Sequence, residues 1–152
     1  MSIFDITDDI VTMLNYVVDD DDPEDVYPFT YQFTAAVQLL PKFKRSELDN
    51  WNVTVFPVSE VPVNDTRKSY YADCTIQVAL MKRISNDTLN TDVRAYGEFA
   101  NEVMQFMFNK NLSNGKFISI KNEPIYSIES LNDSNVFTSI IEVVYRYWYA
   151  AS

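Results

Sequence analysis

Histidine is absent from the 152 residues, cysteine occurs once as Cys74, and glycine occurs twice, as Gly97 and Gly115. Without histidine the chain lacks the commonest general base, the commonest zinc ligand and the imidazole of the usual hydrolase triads. A single cysteine can form neither an internal disulfide nor a Cys-rich zinc site, and its expected place is a buried strand. Two isolated glycines exclude a phosphate-cradling loop of the P-loop or dinucleotide type, which needs several backbone positions without a Cβ. Positive charge is also short. Twelve Lys and Arg face 22 Asp and Glu, for a net charge of −10, so duplex binding driven by counterion release is not expected. No apolar run reaches the roughly 18 residues of a membrane-spanning helix. The first ten residues are acidic and lack a signal peptide's basic start, so the chain is expected in the cytoplasm in which it is made.

What is abundant is apolar and aromatic. Hydrophobic residues make up 47% of the chain, with ten Tyr and ten Phe, which argues for a packed core and against disorder. The length suits one domain, 1–152, with no internal repeat. Ile6, Ile10, Leu14 and Val17 recur at helical spacing and predict a helix over 5–18, with Asp5 as its N-cap. The run Asp19 to Asp22 followed by Pro23 should end it. Alternation of Tyr31, Phe33, Ala35, Val37 and Leu39 predicts a strand over 30–40, stopped by Pro41. A second strand is expected over 51–56. Pro57 and Pro62 then introduce what reads as a long excursion over 57–69.

Residues 70–84 read as a long third strand. A helix of about six turns follows, capped by Asn86 or Asp87, with Leu89, Val93, Tyr96, Phe99, Val103, Phe106 and Met107 on one stripe. Asn114-Gly115 ends that helix region, 116–120 is a short strand, and 136–148 is a long, β-branched and aromatic final strand. The expected fold is α+β: an antiparallel or mixed sheet of about four to five strands with two main helices packed on it.

The order of these pieces resembles the tail terminator (tail completion) family of long-tailed bacteriophages. The resemblance covers nearly the whole chain. It rests on the N-terminal amphipathic helix, on Leu39-Leu40-Pro41 leading to Leu48, and on the stretch from Trp51 to Glu60, similar to the family's V-x-V-x-P strand. Thr66-Arg67-Lys68 then precedes an aromatic strand and the long helix, and Pro124-Ile125-Tyr126, Leu131 and Val136-Phe137 precede a strand ending near Tyr145-Arg146. The individual motifs are short strand patterns, and their order carries the weight. The acidic run at Asp19 to Asp22 departs from the family pattern.

The resemblance implies a homo-oligomeric ring, usually a hexamer, in the neck region of the virion. Such a ring caps the head-proximal end of the tail tube, halts polymerisation of the tube protein and offers a docking face to the head–tail connector. In a contractile tail the sheath protein would be a further partner. No enzymatic activity, cofactor or metal is implied, and DNA would pass through the ring without specific binding.

Two groups of residues stand out. Arg67, Lys68, Tyr70 and Tyr71 are either an intersubunit or tube contact, for which Arg and Tyr offer large area with a polar handle, or a solvated strand end. Asp19, Asp20, Asp21 and Asp22 are either an electronegative pore rim, a divalent-cation site lacking the spacing of a known calcium loop, or a solvated loop. The final aromatics Tyr145, Tyr147, Trp148 and Tyr149 are expected to divide between core packing on one side of the strand and subunit packing on the other. Two other functional readings stay open: a different neck or head–tail adaptor protein, and an acidic binding module acting as a DNA-mimic inhibitor.

Overall fold

The computed structural model describes residues 2–39, 45–64, 69–85 and 89–150. Along the chain run α1 (Ile3–Leu14), β1 (Ala35–Val37), a 3-10 turn (Arg45–Asp49), β2 (Asn52–Asn64), β3 (Ser69–Arg83), α2 (Leu89–Met107), β4 (Lys116–Asn122), α3 (Ile128–Ser134) and β5 (Val136–Ala150). Among the described residues the strands form one mixed sheet in the order β1-β2-β3-β5-β4. Only β1 is parallel to its neighbour; the β2–β3, β3–β5 and β5–β4 pairs are antiparallel. The α+β expectation of a sheet of about five strands with helices packed on it is met.

Strand alternation selects the covered face. Val53 and Val55 of β2, Cys74, Ile76, Val78 and Leu80 of β3, and Phe137, Ile141, Val143 and Tyr145 of β5 all point one way and are buried. Upon them lie Ile6, Ile10 and Leu14 of α1 and Phe99, Ala100, Val103 and Met107 of α2. The α2 stripe was legible because a 3.6-residue period leaves few alternatives over five turns. Gly115 lets the turn after α2 close onto this core. A Cβ there would stand 3.1 Å from Ile6 Cδ1 and 3.5 Å from Tyr145 Cβ.

Three boundaries differ from expectation. Ser2, not Asp5, caps α1; Asp5 sits three residues on and accepts the Ser2 backbone N–H at 2.8 Å, a capping box. The helix stops at Leu14 rather than 18. The Asn15 side chain donates to the Ala35 carbonyl and accepts the Ala35 N–H, extending the β1 ladder sideways, and Val17 is left in solvent. The strand expected over 30–40 shrinks to three residues, because its aromatics pack on a helix instead of lining the sheet. Phe29 meets Phe99 and Phe106, Tyr31 meets Tyr96 and Phe99, and Phe33 meets Phe99. The Thr30 N–H and hydroxyl donate to the Glu102 carboxylate and fix the crossing. The Asn86 and Asp87 caps lie outside the described residues.

Conversely, β2 does not end at Phe56. It continues to Asn64, absorbing Pro57 and Pro62, so residues 57–64 of the expected excursion are strand. The ladder slips by one residue between Pro57 and Ser59, leaving Val58 as a bulge. Proline is tolerated because β1 covers only Val53–Val55, so this half of β2 is an edge.

Phe99 is 1% exposed and meets Trp51 at 4.5 Å between ring centroids as well as Phe29, Tyr31 and Phe33. Phe99→Ala should therefore cost about 3–5 kcal/mol in urea denaturation. Phe4→Ser, on the solvent side of α1, should stay within about 0.5 kcal/mol of the parent.

Candidate self-association surface

Length mismatch creates the site. Strands β3 and β5 pair over fifteen residues, roughly 50 Å at about 3.3 Å per residue, whereas the nineteen residues of α2 span only about 28 Å. Where Asn64 pairs with Tyr70 and Tyr70 with Tyr149, the strands fill their own inner face. Tyr147 and Tyr149 both donate their hydroxyls to Glu60, the latter at 2.6 Å, and Tyr70 stacks on Tyr149 at 4.4 Å. One carboxylate thus fastens β2 to β5 across the intervening β3. Burial, then the hydrogen bond to Glu60, raises the Tyr149 pKa.

Among the described residues nothing covers the outer face of the same end. In successive rows across the sheet stand Val63, Tyr71 and Trp148, then Val61, Asp73 and Arg146. Trp148 is 53% exposed, Val61 55% and Val63 37%. The Arg146 guanidinium donates to both Asp73 oxygens, at 2.7 and 3.1 Å, and lies 4.0 Å above the Tyr71 ring, which meets Trp148 at 4.8 Å. The side chains are thus held in place before anything binds, and the charges are already paired. The opposite end of this outer face is closed: the 3-10 turn packs on β3, Leu48 is buried, and Asp49 pairs with Arg83 at 2.5 Å.

Charge is segregated. Exposed carboxylates crowd the helical side, with Asp5 and Asp8 on α1 and the loop at 19–25. On the sheet's outer face Asp73 pairs with Arg146 and Glu142 with Lys121. Two copies meeting through their helical sides would repel, while the outer faces present no such barrier.

The residues singled out in the sequence are dispersed. Arg67 and Lys68 lie outside the described residues. Tyr70 and Tyr71, adjacent in sequence, point to opposite faces: Tyr70 joins the cluster around Glu60, and Tyr71 joins the exposed patch. Asp19 to Asp22 form a self-tied turn. The Asp21 N–H donates to the Asp19 side chain and the Glu24 N–H to Asp22, while Asp25 accepts from the Asp19 N–H and the Tyr16 hydroxyl. Among the described residues no group of three acidic, His or Cys side chains is placed to hold a metal ion. Tyr145 and Tyr147 are buried on the inner face and Trp148 is exposed on the outer one, as alternation leads one to expect, whereas Glu60, Val61 and Val63 were hidden by the two prolines in the strand that carries them.

Compared with known proteins, the chain matches no family model and no curated sequence. No helix among the described residues is long and apolar enough to cross a membrane.

Cys74 is fully buried, and burial, then Glu60 and Asp73, pushes its thiol from 9.0 up to about 12. Burial likewise moves Tyr145, which donates to the Lys110 carbonyl, from 10.0 up to about 12. Both groups hold their protons in the folded state where the unfolded chain releases them. Their contribution is complete below pH 9 and is lost as pH rises through 12, with a slope of about 1.4 kcal/mol per pH unit per group. Urea denaturation should show a plateau from pH 7 to 9 and a decline above it, shallower in Tyr145→Phe. At pH 8 a thiol reagent should modify Cys74 only in denaturant. Rapid labelling of the native chain would mean that the sheet opens here.

Proposed function

We propose that this chain is a ring-forming structural subunit of a bacteriophage neck, most specifically a tail terminator at the head-proximal end of the tail tube. The observation that carries the reading is the exposed Val61, Val63, Tyr71 and Trp148 patch, rigid and internally charge-balanced, on a chain whose opposite side is acidic. The order of elements that resembles the terminator family supports it, as does a fold that spends its aromatic residues on packing.

The mechanism is geometric. A head-to-tail contact between copies closes into a ring when its rotation closes, and otherwise grows into a filament. A ring that matches the tube on one face and mismatches it on the other denies the next tube subunit a partner. Modest contacts suffice because several act together around the ring. The tube protein and the head connector are the neighbouring partners, with a sheath protein added if the tail contracts. An acidic interior would let DNA pass without adhering.

Particles assembled without this chain should carry abnormally long tubes detached from heads in electron micrographs; normal tube lengths would reject the terminator role. Trp148→Asp should leave monomer stability within about 1 kcal/mol of the parent, since the side chain is exposed, yet abolish tube capping. Capping by the variant at parental levels would place the contact elsewhere.

A further inference from the structure

A head-to-tail contact needs two different surfaces, and the exposed patch is one. We propose that its counterpart is the groove between α2 and the 122–132 segment, and that the groove receives the Val61-Pro62-Val63 edge of a second copy. This rests on the ring reading above and adds which surfaces meet.

The groove has a volume of about 870 Å³, and its walls are apolar, formed by Val93 and Met104 of α2 facing Ile125, Ile128 and Leu131. Its floor is Gly97, in the interior of a nineteen-residue helix. Glycine weakens a helix interior relative to alanine, and no described residue packs closely enough to require it here. Its φ is not positive, and an added Cβ would make only an ordinary 3.8 Å contact with Ile125. The missing side chain leaves space that no described residue fills.

The rim selects the occupant. Arg94 and Glu98 pair at 3.4 Å, and the side-chain amides of Asn90, Asn101 and Asn132 have no hydrogen-bond partner among the described residues. A neutral, amide-edged apolar groove suits an uncharged extended segment, whose backbone N–H and C=O groups the amides can pair with. The chain displays such a segment. Beyond the three residues that β1 covers, β2 has no neighbouring strand among the described residues on its outer edge, and Val58, Val61 and Val63 are exposed there. Pro62 removes a donor from that edge, which disfavours indiscriminate strand-to-strand growth.

The two surfaces cannot meet within one copy. Val63 lies in the row of Trp148, whereas the groove segment is tied to the other end of β5 by the Ser127 N–H donating to the Thr138 carbonyl. Ten residue steps along β5 place them about 30 Å apart, on opposite edges of the sheet. The contact is therefore heterologous, as ring closure demands.

Gly97→Leu fills the groove and Val63→Asp spoils the arm, and both positions are at the surface, so circular dichroism should show both variants folded. In sedimentation at high concentration the parent should assemble, while each variant alone remains monomeric. An equimolar mixture should form dimers and stop, because one intact arm then meets one intact groove. A parent that stays monomeric, a Gly97→Leu chain that assembles as the parent does, or a mixture with no dimer overturns the docking. Tube capping separates this from the broader reading: Gly97→Leu that still caps tubes removes the groove and leaves the ring, whereas a parent that never caps tubes removes the terminator role while the dimer test still reads the contact.

Discussion

The sheet is longer than the helices that cover it. Fifteen-residue pairing of β3 with β5 is the constraint from which the remaining architecture follows. One stretch of the inner face takes α1 and α2. Where the strands run on, Tyr70, Tyr147 and Tyr149 close around Glu60 and supply a small core of their own. No described residue covers the outer face at that end, and the chain places apolar and aromatic side chains there. Sheet faces in contact with water ordinarily alternate to polar residues. An ordered patch of the opposite character is the basis of the contact surface proposed above.

The Asp73–Arg146 pair shows how such a face is kept ready without becoming adhesive. Its two charges cancel, its guanidinium lies on Tyr71, and Tyr71 in turn meets Trp148. Side chains already fixed lose less entropy on association than free ones. Against this stands the acidic helical side, which disfavours contact between like faces. The groove beside α2 combines the same qualities in concave form: apolar walls, paired charge, and an open floor at Gly97. In the proposed ring, the exposed β2 edge and the groove on the opposite edge of one sheet would be the two surfaces of a head-to-tail contact.

Periodicity made much of this legible. The α2 stripe, the alternation in β3 and β5, and the two-faced aromatic end of β5 followed from spacing alone. What stayed hidden has physical causes. Prolines in β2 signal a break unless the edge position of the strand is known, and edge position is a tertiary fact. Phe29, Tyr31 and Phe33 alternate as a strand would, yet their rings are spent on α2. Helix α3 is seven residues, too short for a period to emerge, and it is held by Ser127 accepting the Ser130 N–H. Of the two tyrosines named together, Tyr71 stands on the outer face and Tyr70 on the inner one, because adjacent strand residues point to opposite sides. The groove was invisible because its walls come from segments distant in sequence.

The most direct measurement concerns the tryptophans. Trp51 is buried against Tyr96 and Phe99, while Trp148 stands in solvent, so quenching of native fluorescence by acrylamide reports chiefly on Trp148. On assembly the quenchable fraction should fall sharply as the outer face is covered. An assembled particle in which Trp148 remains as open to acrylamide as in the free chain would contradict the account.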